Sequence, residues 1–148
     1  MHFTSYPRGT PMTEEAHKRA PGVTWMTMVR TLRTTDARRY FASNVTLDAS
    51  VLDRTSRGIK AVRAYFVASS TLYDSLKFTY ETVVGARTYL EWEGKAFGRQ
   101  VGGITVLVRS KSGRIAKIRL YLRPSAAVHQ FVATLHKLSA NTNNGRRL

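Results

Sequence analysis

The stretch Gly113 to Pro124 constrains the fold of this chain more than any other. It reads Gly-Arg-Ile-Ala-Lys-Ile-Arg-Leu-Tyr-Leu-Arg-Pro, and from Ile118 onwards apolar side chains alternate with basic or aromatic ones. Because neighbouring side chains of a β-strand point to opposite faces, the pattern predicts a turn followed by a strand with one apolar and one basic face. The apolar side chains of this strand are therefore expected to face the interior of the fold.

Three segments before this strand have similar β character. The predicted strands cover residues 77–84, 88–94, 100–110 and 114–123, and short turns join them. Successive strands linked by short turns form an antiparallel meander. Within the third of them, Gly102-Gly103 indicates a bulge that bends the sheet, or a close approach to a ligand or a helix.

Apolar residues at helical spacing predict helices on both sides of the meander. These helices cover residues 24–33, 36–41 and 58–76, with a last helix from Ser125, and a strand over 45–52 lies among them. The apolar stripe of the last helix needs a surface, which is either the open end of the sheet or a second subunit. Helices followed by a strongly bent meander predict an α+β fold, with three helices packed in the concave face of the sheet.

Composition limits the domain organisation. A chain of 148 residues, 43% of them hydrophobic, is long enough for one domain with a core. The predicted boundaries are a flexible arm over 1–21, one domain over 22–139 and a flexible basic tail over 140–148. The absence of cysteine excludes disulfides and thiolate metal sites and favours a cytoplasmic location, and no apolar run is long enough to suggest a membrane segment.

The formal net charge of +15 is the most unusual property of the sequence. A chain this basic attracts polyanions, which keeps a nucleic-acid or anion-binding function open. The cations of the predicted outer sheet face are Lys111, Arg114, Lys117, Arg119 and Arg123. The alternative is that this face forms a homodimer interface, in which the cations meet acidic residues of a second copy.

Four local motifs, in this order and spacing, resemble one protein family. They are Phe41–Leu47, Gly58–Phe66, Leu90–Gly94 and Gly113–Pro124. Together they are similar to the SnoaL-like, or polyketide cyclase-like, branch of the NTF2-like superfamily, although Arg123 stands where an acidic residue often precedes the proline. The resemblance implies a cone-shaped fold, an apolar pocket for a small hydrophobic molecule, and homodimers that associate through the outer sheet face.

The chain is also distantly similar to ketosteroid isomerase, but its catalytic residues are replaced. The resemblance puts Ala49 at the general-base aspartate, Trp25 at the oxyanion tyrosine, Phe41 and Phe66 at the two supporting tyrosines, and Thr105 at the second oxyanion acid. The chain therefore lacks the carboxylate that would take the proton and the phenol and acid that would stabilise the enolate, so we do not expect it to isomerise steroids.

Alternation and the resemblance together predict a common inner surface. Its pocket-lining residues are Trp25, Phe41, Ala49, Phe66, Leu90, Trp92, Thr105, Leu107, Ile118, Leu120 and Leu122. Trp25, Tyr40 and Thr105 are the candidates for a hydrogen bond to a ligand, and hence the candidate catalytic residues. No metal site is predicted, since the four histidines lack ligand spacing, and no cofactor is expected.

Acidic residues are predicted on the opposite, outer face. Asp48, Glu91 and Glu93 alternate with the apolar set and are expected to pair with Lys117 and Arg119. Two versions of the pocket hypothesis remain open. The protein is either a cyclase or isomerase of secondary metabolism, or a non-catalytic protein that binds an apolar ligand.

Overall fold

The computed structural model describes the backbone of residues 19–147 and the side chains of residues 19–138. Its elements are α1 Val23–Thr31, α2 Ala37–Tyr40, β1 Phe41–Ala49, β2 Ser56–Arg57, α3 Ile59–Ser70, β3 Tyr73–Val84, β4 Arg87–Ala96, β5 Arg99–Arg109, β6 Ile115–Arg123 and α4 Ser125–Arg147. The strands form one curved, unclosed sheet of six strands in the order β2-β1-β6-β5-β4-β3. The predicted α+β class is confirmed.

The meander from β3 to β6 forms as the sequence predicts. All three of its strand pairs are antiparallel, and β4 pairs with β5 over its whole length without a register shift. The first strand joins the sheet on the other side of β6, parallel to it, with Leu47 opposite Ile118. This arrangement makes β6 a central strand, so its apolar face lies in the core.

The third helix is shorter than predicted. It begins after Gly58, whose φ of 89° suits glycine, and it ends at Ser70. The prediction that it continues to residue 76 is wrong, because Tyr73 begins β3 and pairs with Ala96. Tyr73 keeps helical spacing with Phe66, but its backbone hydrogen bonds are made by the sheet instead.

The core consists of two clusters. The first lies between α1, α3 and the sheet, and includes Phe41, Leu47 and Val62. The second lies at the other end, where Phe131 of α4 packs with residues including Trp92. The last helix therefore covers the sheet of its own chain.

Three further predictions can be compared with the described residues. On β1, Val45 and Leu47 are buried whereas Asp48 is exposed, as alternation predicts. Helix α4 continues to Arg147, so the backbone of residues 140–147, predicted as a flexible tail, is helical. The predicted arm over 1–21 lies outside the described residues except for 19–21. None of the described helices combines the length and the apolarity needed to span a bilayer.

Candidate functional site

The concave side of the sheet and helices α1 and α3 border a partly open cavity of about 110 Å³. Its wall is mostly apolar. The lining residues are Trp25, Met26, Val29, Tyr65, Phe66, Ser69, Ser70, Tyr73, Leu76, Phe78, Trp92, Thr105 and Leu120. No carboxylate and no imidazole is among these residues, so the described wall offers hydroxyl and indole groups as its polar side chains.

Trp25 is held in the cavity wall by aromatic contacts. Its ring centroid lies 6.0 Å from that of Phe41 and 5.8 Å from that of Phe66, both in edge-to-face geometry. Within the described part of the chain, its indole N–H has no hydrogen-bond acceptor. This donor is available to a ligand.

Trp92 and Thr105 form a buried hydrogen bond between β4 and β5. The indole Nε1 of Trp92 donates to the Thr105 hydroxyl oxygen over 3.1 Å, and Thr105 is only 1% exposed. Since a hydroxyl carries its own hydrogen, Thr105 can still donate one bond into the cavity. The Thr105 hydroxyl, a predicted hydrogen-bond donor, is therefore held in position by Trp92, which is also a predicted pocket residue.

Gly103 provides the space for this pair. A Cβ atom at residue 103 would collide with the Trp92 ring and with the Tyr121 carbonyl oxygen. The strand pairing is regular at this point, so the predicted bulge at Gly102-Gly103 is wrong. A close approach does occur, but to a side chain of the neighbouring strand and not to the predicted helix or ligand. The approaching group is the Trp92 ring.

A cluster of hydroxyl groups lies on another part of the wall. Burial, and secondarily the nearby Tyr73, raise the pKa of the Tyr65 phenol well above its usual range, and a hydrogen bond with Ser69 offsets this in part. Burial also raises the pKa of Tyr73 to about 12. Both phenols therefore stay protonated at physiological pH and can donate hydrogen bonds.

Sequence reasoning missed this cluster. Tyr65 and Ser69 are four residues apart on α3, beside the predicted pocket residue Phe66, which is a spacing that would have identified them. Tyr73 could not be found in this way, because its position depends on the end of α3 and the start of β3.

The eleven predicted pocket residues fall into three groups. Trp25, Phe66, Trp92, Thr105 and Leu120 line the cavity together. Leu90 and Leu107 line a second cavity, on another side of Trp25. Phe41, Ala49, Ile118 and Leu122 line neither cavity and pack in or against the two core clusters. The candidate Tyr40 is 36% exposed at the end of α2 and lies away from both cavities.

The second cavity, of about 330 Å³, has polar groups that are already engaged. Glu81 accepts a hydrogen bond of 2.8 Å from the Gly22 backbone N–H. Arg109 donates to the Thr88 hydroxyl over 2.6 Å and to the Gly85 carbonyl over 3.0 Å. These side chains hold neighbouring segments together, so the smaller cavity is the better candidate for ligand binding.

The outer face carries charges that form no ion pair with one another among the side chains of residues 19–138. Asp48 lies opposite Arg119 in the register of β1 and β6, yet its carboxylate accepts a hydrogen bond from the Thr55 hydroxyl instead. Glu91 and Glu93 are exposed. Among the described side chains, none of the three acids forms an ion pair with Lys117 or Arg119, so the predicted pairing within the chain is wrong.

Solved structures match the fold over most of the chain. A steroid delta-isomerase from Pseudomonas aeruginosa superposes with a TM-score of 0.71 at 14% identity, covering 82% of this chain and 90% of that protein. The chain has the NTF2-like fold. An NTF-2 like protein of unknown function from Burkholderia xenovorans LB400 matches this NTF2-like chain with a TM-score of 0.55 at 13% identity, covering 75% of this chain and 85% of that one.

A third match is an uncharacterised protein with a cystatin-like fold from Silicibacter pomeroyi DSS-3. Its TM-score is 0.67 at 15% identity, covering 82% of the NTF2-like chain and 88% of that protein. No protein-family model and no curated protein matches the sequence. At these identities the likeness establishes the fold, and the SnoaL-like branch stays a prediction.

Proposed function

We propose that this protein binds a small, largely apolar molecule of about one six-membered ring that carries an acceptor oxygen. The cavity between α1, α3 and the sheet is the binding site. The observation that carries the proposal is the combination of an apolar wall with two partly buried, protonated phenols, those of Tyr65 and Tyr73.

The size of the ligand follows from the volume of the cavity. At about 110 Å³, the cavity is smaller than the pockets of roughly 300–1,000 Å³ that hold drug-sized ligands. An engineered apolar cavity of about 150 Å³ in another protein binds benzene. The comparison sets one ring as the upper limit of the ligand, and a steroid is too large for this cavity.

The polar chemistry of the site favours binding over acid-base catalysis. A phenol whose pKa is raised donates a hydrogen bond but is a poor proton acceptor near neutral pH. With no carboxylate or imidazole among the described lining residues, proton abstraction from a ligand has no base there. A cyclase or isomerase version of the function would work by holding a reactive substrate in one conformation.

The test measures binding of cyclohexanone and of benzene, which has no acceptor oxygen. Replacing Tyr65 or Tyr73 with phenylalanine should weaken cyclohexanone binding about fivefold, since one hydrogen bond contributes about 1 kcal/mol, and should leave benzene binding unchanged. Tyr40→Phe is the matched control, because Tyr40 lies outside the cavity. Equal effects of all three variants, or no binding of either probe, would contradict the proposal.

A second copy of the chain is the proposed partner of the outer sheet face. One cross-strand row consists of Glu91, Ile104 and Tyr121 on β4, β5 and β6. Ile104 is 43% exposed and Tyr121 is 52% exposed, so the centre of the face is partly apolar. Such side chains favour association with another protein surface.

The charges on the same face suit a twofold dimer. Glu91 and Glu93 lie on β4, whereas Arg119 and Arg123 lie on β6, with β5 between them. A twofold axis that runs parallel to β5, between two facing sheets, places β4 of one copy over β6 of the other. This arrangement pairs opposite charges. The same carboxylates repel a polyanion, so the dimer is favoured over a nucleic-acid function for this face.

A further inference from the structure

A basic cleft lies on the helical side of the molecule, apart from the ligand cavity. Its volume is about 750 Å³, and it is formed by the α1–α2 loop, α2, β1 and the first turns of α3. Four cationic side chains line it, those of Arg33, Arg38, Lys60 and Arg63. It shares no lining residue with the ligand cavity.

The cations of the cleft have no counter-charge among the described residues. No carboxylate lines the cleft. Asp36 stands between two lining residues, but it is exposed and forms no ion pair with a described side chain. The guanidinium groups of Arg33 and Arg38 and the ammonium group of Lys60 make no hydrogen bond or ion pair within the described part of the chain. Like charges gathered in one concavity repel each other, and a bound anion would relieve that repulsion.

Backbone contacts fix the geometry of the cleft. Arg63 donates from Nε to the Leu32 carbonyl oxygen, which ties α3 to the end of α1. Arg114 donates from Nε to the Arg38 carbonyl oxygen over 2.8 Å, which ties α2 to the start of β6. The walls that carry the cations are therefore connected to the sheet and to each other.

Neutral donors stand beside these charges. The hydroxyls of Thr35 and Ser43 line the cleft and have no hydrogen-bond partner among the described residues. Helix α3 begins at the cleft without a side-chain cap and without an acidic residue in its first turn. The positive end of the helix dipole therefore adds to the field of the side chains.

We propose that this cleft binds the phosphate or pyrophosphate group of a small phosphorylated molecule. Guanidinium and ammonium groups with nearby hydroxyls match the several oxygens and the multiple charge of such a group. The cations come from three elements and face one concavity, whereas a nucleic-acid strand is followed by a stripe of cations along a groove. The site is independent of the proposed function, because the two cavities have separate walls.

The first test locates the binding of inorganic pyrophosphate on the unmodified protein by NMR at low salt. The backbone amides of residues 33–38 and 58–63 should shift saturably, and the two tryptophan indole signals should stay in place. Shifts spread evenly over all basic surfaces, or no saturable shift at low salt, would overturn the proposal.

The second test uses two double variants that remove the same charge. Arg38→Gln with Lys60→Gln should weaken pyrophosphate binding at least about tenfold, since two charge-assisted hydrogen bonds are lost. Arg99→Gln with Lys137→Gln, two exposed cations outside the cleft, should leave it within about twofold. Equal weakening by both pairs would mean that net charge alone attracts the anion.

Two further titrations test whether the phosphate group belongs to a small molecule, a nucleic acid or a lipid. A single-stranded oligonucleotide and vesicles that contain an anionic phospholipid are titrated with the same variants. The proposal expects both to bind more weakly than pyrophosphate and to be insensitive to the choice of double variant. An oligonucleotide or a vesicle that binds more tightly, and that depends on Arg38 and Lys60, would replace the small phosphorylated molecule as the ligand.

Discussion

The Trp92 indole and the Thr105 hydroxyl connect two strands inside the cavity wall. Thr105→Val keeps the shape of the side chain but removes the acceptor, which leaves a buried N–H without a partner. We expect the free energy of unfolding to fall by about 1–3 kcal/mol, measured by chemical denaturation. Thr46→Val on β1, where the hydroxyl has no hydrogen bond with any residue in the described part of the chain, should change it by less than about 0.5 kcal/mol.

The Tyr73 phenol is expected to lower the free energy of unfolding at alkaline pH. Its pKa is about 12 in the folded chain and 10.0 in its unperturbed state, so above pH 10 the unfolded chain loses this proton first. The contribution of the Tyr73 phenol to the free energy of unfolding is present below pH 10 and is lost as the pH rises towards 12.

The variant Tyr73→Phe tests the direction in which the free energy of unfolding changes with pH. The loss of unfolding free energy between pH 10 and 12 should be smaller in the variant than in the unmodified protein, by on the order of 2 kcal/mol. Thr46→Val, which removes no titratable group, should keep the original pH dependence. An unchanged profile in Tyr73→Phe would mean that the phenol is not buried.

The polar residues of the site could be predicted only where their position depends on one element. Counting back from Gly113 in the family resemblance places Thr105 on the inner face, which succeeds because β5 is regular at this point. Alternation alone does not choose a face of β5, since Ile104 and Val106 on the opposite face are also apolar. Tyr73 was assigned to a helix, so its contribution to the wall was missed. Which side chains of a regular strand share one face is local information, whereas the point at which a helix becomes a strand is decided by the partner strand.

Close packing between β4 and β5 depends on Gly103. Gly103→Ala would force a methyl group against the Trp92 ring and the Tyr121 carbonyl oxygen. We expect a loss of about 1–3 kcal/mol of unfolding free energy, together with changed tryptophan fluorescence. Gly102→Ala is the comparison, because its Cβ would meet only the Trp92 carbonyl oxygen, at 3.3 Å, and it should cost less.

The elements themselves were largely predictable from the sequence. The meander is read from period-two alternation, and the start of α3 is read from Gly58. The parallel pairing of β1 with β6 was not predicted, since it joins segments about seventy residues apart without a turn signal. Long-range pairing of this kind leaves no local pattern in the sequence.

The proposed dimer is a property of the whole molecule. Ile104→Asp places a charge at the centre of the outer face and should reduce the mass in light scattering from twice 16.7 kDa to that of one chain. Val83→Asp is the control, because Val83 is exposed on β3 but its register partner Thr88 is buried, so it lies on the other face. A monomeric unmodified protein would contradict the dimer.

The cavity gives the most direct test of the function, because both tryptophans of the chain line it. Cyclohexanone is titrated into ¹⁵N-labelled protein, and the two indole N–H signals are followed by NMR. Binding in the cavity predicts that both signals shift and saturate together, while the amides of residues 58–63 in the basic cleft stay in place. Indole signals that do not move, or that drift linearly like the surface amides, would contradict a ligand site between the helices and the sheet.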